Sequence, residues 1–95
     1  MIILESTRFK IQLKTIAFFI KKDNRNASIR FVKELKLQIN QLIDMPKKYQ
    51  QSKYYDDETI RDMVFKGYTI IYKIYSDKII ILEIFNQNLP ILEEE

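Results

Sequence analysis

The sequence predicts an α+β domain in which a helical hairpin packs on one face of a small antiparallel sheet. Apolar residues recur at helical spacing from about residue 9 to residue 43, and they alternate with a period of two from residue 68 onward. A single glycine and two prolines leave few breaks between long regular elements. With 95 residues, the chain is expected to form one domain over residues 1–95.

The chain is predicted to begin with a strand and a helix. Residues 1–5 contain a short apolar run of strand length. A helix follows, capped by Ser6 or Thr7 and ending near Asp23. Its apolar residues are spaced by four, three and four positions, so they share one helical face: Phe9, Leu13, Ile16 and Ile20. Phe18 and Phe19 widen that face.

A second amphipathic helix is predicted after the turn and cap residues at 23–27. Its apolar stripe repeats at helical spacing: Val32, Leu35, Ile39, Leu42 and Ile43. The helix is expected to stop at Pro46, because a proline disfavours the helical conformation of the residue before it. The two helices therefore form an antiparallel hairpin.

The second half of the chain is predicted to form a three-stranded meander. A polar segment over residues 47–58 leads into strands predicted over residues 61–65, 68–75 and 78–85. Lys66-Gly67 and Ser76-Asp77 mark the two turns between them. The element order is thus β-α-α-β-β-β, followed by a tail over residues 86–95.

The matching periods predict both the core and the surface that remains open. The expected core comprises Leu13, Ile16, Ile20, Val32, Leu35, Ile39, Ile70, Tyr72, Ile80, Leu82 and Ile84. Across the last hairpin, Lys73 is expected to face Glu83 as a cross-strand ion pair. The helices cover one face of the sheet, so functional residues are expected on the other face, which is partly open.

Charge is distributed unevenly along the chain. Residues 1–53 carry 12 Lys or Arg and 4 Asp or Glu, a net charge of +8, whereas residues 54–95 carry 4 and 9, a net charge of −5. Such asymmetry suggests a basic surface that binds a polyanion or an acidic protein segment. The alternative is that these lysines only solvate the helix exteriors.

The composition argues against metal, cofactor and membrane functions. The chain has no cysteine and no histidine, which makes a zinc site very unlikely, and no cofactor is expected. No apolar run approaches the ~20 residues that cross a bilayer. The expected location is therefore the cytoplasm, without a membrane partner.

Two segments give the chain a family resemblance. The end of the second helix reads Gln41-Leu42-Ile43-Asp44-Met45-Pro46, and the first hairpin runs from Ile60-Arg61-Asp62 through Lys66-Gly67-Tyr68-Thr69 to Tyr72-Lys73-Ile74. Together with the element order, these segments resemble the RelE/ParE superfamily of toxins over nearly the whole chain. The resemblance implies a growth-inhibiting toxin of a type II toxin-antitoxin system, of the kind associated with plasmid stabilization, neutralised by a cognate antitoxin.

The family contains two activities on one fold. RelE-like members cleave messenger RNA on the ribosome, whereas ParE-like members inhibit DNA gyrase. Here Arg61 matches a basic position on the second strand, and Lys66 and Lys73 add charge, so these are the candidate catalytic residues. Arg61 has an alternative role as a surface partner of Asp57 or Glu58.

Departures from the RelE-like pattern favour gyrase inhibition slightly over RNA cleavage. Thr69 stands where arginine is frequent in the family, and residues 85–88 lack the usual basic or histidine side chains. Without histidine the ordinary acid-base group near neutral pH is missing. RNA cleavage and a non-toxic antitoxin-binding module remain the alternatives.

Two sets of residues are candidates for contacts with partners. The target, either DNA gyrase or the ribosome with its message, is expected to meet Tyr68, Asn86, Gln87 and Asn88. An acidic, otherwise disordered antitoxin segment is expected to lie on the basic hairpin, steered by Arg8, Lys14, Lys21, Lys33 and Lys36.

Overall fold

The computed structural model describes residues 1–86 and confirms the predicted fold class and element order. The elements are β1 (Ile2–Glu5), α1 (Thr7–Asp23), α2 (Arg25–Asn40), a short 3₁₀ turn (Gln41–Ile43), β2 (Ile60–Phe65), β3 (Tyr68–Ile74) and β4 (Lys78–Asn86).

Both helices begin at a side chain that caps them. The Ser6 hydroxyl accepts a hydrogen bond from the Phe9 N–H at 3.0 Å and thereby caps α1. Asn24 alone joins the helices, because its N–H donates to Ile20 O at 2.9 Å and its side chain accepts from the Ala27 N–H at 3.0 Å. One residue therefore ends α1 and starts α2.

The second helix ends earlier than predicted. Regular α-helix stops at Asn40, and the chain tightens into the 3₁₀ turn before it reaches Pro46. Leu42 within this turn is 1% exposed, so its burial continues the apolar stripe of α2 after the helix has ended. The helical spacing of apolar residues predicted this stripe, but it does not distinguish an α-helical turn from a 3₁₀ turn.

The sheet is mixed, with strand order β1-β4-β3-β2. β2, β3 and β4 form the predicted antiparallel meander, whereas β1 joins the edge parallel to β4. Ser6 contacts Leu82 and Gln12 contacts Ile84, so α1 runs along β4 in the direction of β1. The antiparallel helix α2 brings the chain back to the end of the sheet where β1 starts, so β2 runs in the same direction as β1. The two hairpins that follow reverse the direction twice, and β4 is therefore parallel to β1.

The turn between β2 and β3 occurs at Lys66-Gly67, as predicted. Both residues have positive φ, 49° for Lys66 and 84° for Gly67. Two consecutive positive φ values are typical of the tight hairpin turn whose twist matches that of the flanking strands. Glycine adopts this conformation without steric cost, and lysine does so less easily. The Lys66 side chain forms an ion pair with Glu34 of α2.

The core lies between the hairpin and the sheet and contains most of the predicted residues. Leu13, Leu35, Ile39, Ile70, Tyr72 and Ile84 are buried, while Ile16, Ile20 and Val32 are partly buried against the same cluster. Phe9, Phe31, Leu42, Met63, Ile79 and Ile81 complete it.

The predicted register of β4 was wrong by one residue over its first half. Ile79 and Ile81 are buried in the core, rather than Ile80 and Leu82, which are only partly buried. Ile71 lies opposite Glu83 and Tyr72 lies opposite Ile81, so Leu82 is an extra residue in β4. Such a bulge reverses which side chains face the core, because side chains alternate along a strand.

The expected ion pair between Lys73 and Glu83 was also wrong. The tight turn between β3 and β4 sets the register of the neighbouring residues, so Lys73 lies opposite Ile80, three residues before Glu83. The Lys73 ammonium lies 3.5 Å from Asp57, and the Glu83 carboxylate lies 3.7 Å from the Arg8 guanidinium.

The sheet face away from the helices is less open than expected. Thr69 and Ile71 on this face are 3% and 1% exposed. The segment before β2 covers part of the face, because the Tyr54 ring packs edge-on against Phe85 at 5.3 Å between centroids. The Tyr55 hydroxyl donates to Glu83 nearby.

Candidate functional site

A groove lies between α1 and the neighbouring ends of β3 and β4. Its volume is about 630 Å³. Ile11 and Phe19 form its outer wall on α1, where they are 61% and 66% exposed. Apolar side chains that remain this exposed along a groove are typical of a surface that binds a protein or peptide.

The sheet side of this groove contains two of the residues predicted to contact a target. Tyr68 and Asn86 lie opposite each other in the β3–β4 register, and both line the groove. The Tyr68 ring packs edge-on against Phe31 at 5.3 Å, which fixes its orientation. The structure thus brings this pair together on the side covered by helices, rather than on the open face. Gln87 and Asn88, predicted for the same role, lie outside the described residues.

The groove itself was not predicted from the sequence. Ile11, Phe18 and Phe19 extend the apolar surface of α1 beyond the single stripe that packs on the core. A helix with one buried face needs a stripe of only about 100°. The excess apolar width of α1 was the available signal for a second contact surface.

The basic residues predicted to bind an antitoxin lie on both helices. Arg8 is in the first turn of α1, where its side chain is 72% exposed and approaches Glu83. Lys21 is in the last turn of α1, and Lys33 is exposed on α2. Lys14 and Lys36 are brought together, because both line a second groove of about 400 Å³ between the helices and the end of β1.

The candidate catalytic residues lie in different parts of the sheet. Arg61 is on the side that packs against the helices, next to Tyr72 in register, and Lys73 projects to the opposite side. Lys66 is in the turn at the far end of β2. The structure does not bring these three side chains together.

Each of these residues has a structural partner of its own. Arg61 donates from Nη1 to Tyr49 O at 2.9 Å and from Nε to Glu58 O at 3.1 Å. Its partners are therefore main-chain carbonyls, and not the carboxylates of Asp57 or Glu58 that the sequence suggested. Lys66 pairs with Glu34, and that hydrogen bond holds the pKa of the Glu34 carboxyl below its usual value.

Two tyrosines have raised pKa values: Tyr72, which lies opposite Arg61, and Tyr55, which contacts Glu83 of β4. Burial raises the pKa of Tyr72 to about 12, and its hydroxyl donates to Pro46 O at 2.6 Å. The hydrogen bond to Glu83 raises the pKa of Tyr55. Acid-base catalysis near pH 7 requires groups whose pKa lies close to 7, so both shifts oppose such a role.

The described part of the chain contains neither a candidate metal cluster nor a candidate membrane-spanning helix. Within residues 1–86, no three acidic side chains lie close enough together to hold a metal ion. No helix in this range has both the length and the apolar character needed to span a bilayer. The prominent features are therefore the apolar groove along α1 and the basic groups on the hairpin.

Comparisons with known proteins identify the family of the chain. Residues 3–88 match the family described as the ParE toxin of type II toxin-antitoxin systems, parDE. The match covers nearly the whole chain, so the chain belongs to the ParE toxin family. No curated protein matches it at the level of sequence.

A solved structure has the same fold. It is described as the chromosomal ParDE TA system from P. aeruginosa, and it superposes with a TM-score of 0.73 at 12% sequence identity. The alignment covers 90% of this chain and 95% of that chain. Similarity at this level of identity establishes the fold and leaves the target to be argued from residues.

Proposed function

We propose that this chain is a growth-inhibiting toxin of a type II toxin-antitoxin pair and that it acts by inhibiting DNA gyrase. Its membership of the ParE toxin family supports the first part. The separation of Arg61, Lys66 and Lys73 carries the second part, because cleavage of RNA requires clustered groups that activate the 2′-hydroxyl and stabilise developing charge. Inhibition by binding requires no such cluster.

The groove along α1 is the surface that we assign to the target. Ile11 and Phe19 expose apolar area there, and Tyr68 with Asn86 adds polar groups at the sheet side. An apolar centre with a few polar groups at its margin is the usual composition of an interface core. The exposed aromatic ring of Phe19 is suited to anchor a partner, since such rings supply much of the binding energy at interfaces.

A cognate antitoxin is proposed to neutralise the toxin through the basic hairpin. Arg8, Lys14, Lys21, Lys33 and Lys36 carry five of the positive charges of the N-terminal half. An acidic segment would approach this surface faster than a neutral one, while apolar contacts would supply most of the affinity, since exposed ion pairs contribute little.

The test is induced expression in bacteria with purified-protein assays of both targets. Growth arrest with inhibited gyrase supercoiling and intact messenger RNA is expected. Phe19→Glu should weaken gyrase inhibition at least about tenfold, because it places a charge in the apolar groove. Leu37→Glu is the matched control, since Leu37 is 56% exposed on α2 and lies outside the groove.

Two results would favour the alternatives. Codon-specific cuts in ribosome-bound message that disappear with Arg61→Ala would indicate the RelE-like activity. Absence of growth arrest, gyrase inhibition and RNA cuts, together with tight antitoxin binding, would indicate a non-toxic binding module.

A further inference from the structure

The apolar groove along α1 is reached by the chain itself at the end of β4. Asn86, the last residue of β4, lines the groove, and so do Ile84 and Phe85 before it. The Ile84 N–H donates to the side chain of Gln12 at 2.8 Å, so β4 runs directly beside α1. The residue that follows Asn86 therefore leaves β4 inside the groove.

α1 and β4 run in the same direction, and α1 continues beyond the end of β4. From Gln12 to Asp23, at the far end of the groove, the helix rises by ~16 Å, because each residue adds about 1.5 Å. From Ile84 to Asn86 the strand advances by only ~7 Å. About 10 Å of the helical wall thus lies beyond Asn86, a length that about three extended residues would span.

Phe19 leaves this far part of the groove apolar and uncovered. Its ring is 66% exposed, and it lines the groove together with Ile20. β3 begins at Tyr68, opposite Asn86, and within residues 1–86 the strand β1 pairs with β4 over residues 78–81. Neither neighbouring strand therefore extends beside the chain after Asn86, whereas the wall formed by α1 does.

The sequence that follows Asn86 matches the groove in composition. Residues 87–95 consist of two amides, then the apolar run Leu-Pro-Ile-Leu, then three glutamates. The proline has no N–H to donate, which disfavours continuation of the strand. Two amides span ~7 Å, so the apolar run begins close to the exposed ring of Phe19. Covering that ring removes apolar surface of both partners from water.

Basic side chains lie where the three glutamates would arrive. Lys21 and Lys22 occupy the last turn of α1, and Arg25 begins α2. The Lys22 ammonium lies 5.5 Å from the centre of the Phe19 ring, at the far end of the groove. Asp23 offsets one of these three positive charges. The end of the groove is therefore positively charged and complements the glutamates.

We propose that residues 87–95 lie along α1, where their apolar side chains cover Phe19 and their carboxylates pair with Lys21 and Lys22. A segment of the same chain is favoured over a separate partner, because the covalent connection gives it a high effective concentration. The docking itself is independent of the proposed function, whereas its consequence rests on that function. The target must displace the segment before it contacts Phe19.

NMR of the full chain, produced by cell-free synthesis, tests the contact directly. Nuclear Overhauser contacts are expected between the methyl groups of Leu89 and Leu92 and the ring protons of Phe19. The methyl groups of Leu37, which is exposed on α2 outside the groove, are the control and should show none. The contacts should not depend on protein concentration. Their absence would overturn the docking, and their loss on dilution would identify the segment of a second copy as the occupant and also overturn it.

Thiol labelling tests whether the segment covers the groove, because the chain has no cysteine of its own. Asp23→Cys places a thiol at the far end of the groove. Adding Leu89→Asp and Leu92→Asp should speed its reaction with iodoacetamide by at least about fivefold, because a covered thiol reacts only when its cover opens. Gln87→Glu with Asn88→Asp is the matched control, since it adds the same charge and keeps the apolar residues. Equal acceleration by both pairs would overturn the docking.

Charge reversal tests the placement of the carboxylates. Lys21→Glu with Lys22→Glu should weaken the contacts to the Phe19 ring by about half at low salt, because repulsion replaces attraction at the end of the groove. Lys47→Glu with Lys48→Glu changes the net charge equally in the loop after α2 and should leave the contacts unchanged. Equal weakening by both pairs would overturn the pairing with Lys21 and Lys22.

Gyrase assays separate the docking from the function on which its consequence rests. Leu89→Asp with Leu92→Asp should inhibit gyrase at a concentration at least about threefold lower than the original chain does, because the segment no longer competes for the groove. Unchanged or weaker inhibition would overturn the competition and leave the docking standing. Absence of inhibition by every variant, with the NMR contacts present, counts against the proposed function and supports the docking alone.

Discussion

The guanidinium of Arg61 connects the sheet to the long segment between α2 and β2. It donates to the carbonyls of Tyr49 and Glu58, which lie on either side of the stretch that bridges the β2 edge. The bond to Tyr49 O is partly buried, and the bond to Glu58 O is exposed. Hydrogen bonds from a charged donor contribute roughly 1.5–3 kcal/mol each when buried and less when exposed. Arg61 therefore holds this segment against the sheet. Its role in the structure is to bind main-chain carbonyls, although its position matches a basic position of the family.

Arg61→Ala should lower the free energy of unfolding by about 2–4 kcal/mol, because it removes two charged hydrogen bonds and leaves two carbonyls without this donor. Urea unfolding followed by circular dichroism measures the change. Lys73→Ala is the control, since it removes a strand cation that lies 3.5 Å from Asp57 in a partly exposed ion pair, and such pairs contribute little. Equal losses in the two variants would show that Arg61 does not hold the segment.

At the scale of elements, the junction between β1 and α1 is tied to the bulge in β4. The Ser6 hydroxyl caps α1 and also donates to Leu82 O at 2.7 Å, and Leu82 is the extra residue of the bulge. A bulge interrupts the hydrogen-bond ladder, so its carbonyl needs another donor. The Ser6 hydroxyl thus bonds both to a free N–H at the start of α1 and to the carbonyl of the bulged residue in β4.

A comparison of the two helix caps tests this dual role. Ser6→Ala should lower the free energy of unfolding by about 2–3 kcal/mol, because it removes the cap and leaves the Leu82 carbonyl without its donor. Asn24→Ala should cost about 1 kcal/mol, since Asn24 provides an exposed cap alone. Thermal or urea unfolding measures both. A Ser6 effect no larger than that of Asn24 would mean that the bulge does not depend on the hydroxyl.

At the scale of the whole molecule, Tyr72 connects the sheet to the segment that follows α2. Its ring is fully buried in the core, and its hydroxyl donates to Pro46 O beyond the end of the helix. Burial disfavours the phenolate, which raises the pKa of Tyr72 from 10.0 to about 12. The folded state therefore keeps a proton that the unfolded chain loses at lower pH.

Stability should consequently fall as pH rises from about 10 to about 12. The stabilising contribution of Tyr72 is complete below pH 10 and is lost as pH approaches 12, a decrease of about 2–3 kcal/mol. Tyr55, whose pKa is also raised, contributes with the same sign. Urea unfolding at several alkaline pH values measures the effect, and tyrosinate absorbance reports the titration. Tyr72→Phe should show a flatter profile, and an equally steep one would assign the loss to other groups.

Much of this architecture was predictable because its signals are local in sequence. Apolar spacing located α1 and α2, and Lys66-Gly67 marked a turn in which both residues adopt positive φ. Ser6 was one of two predicted caps, with Thr7, because hydroxyl side chains bond readily to the first free N–H groups of a helix. These features depend on residues a few positions apart, and the physical preferences of each residue type suffice to predict them.

Other features depended on partners distant in sequence, and only the tertiary structure decided them. The bulge at Leu82 involves contacts with β3 and with Ser6, and it determined which isoleucines of β4 are buried. The parallel direction of β1 and the carbonyl partners of Arg61 likewise arise from how distant elements are placed. The sequence by itself determined the elements and the buried faces of the two helices, because periodicity is a local property. The tertiary structure decided register, strand direction and the grooves, because these depend on which surfaces meet.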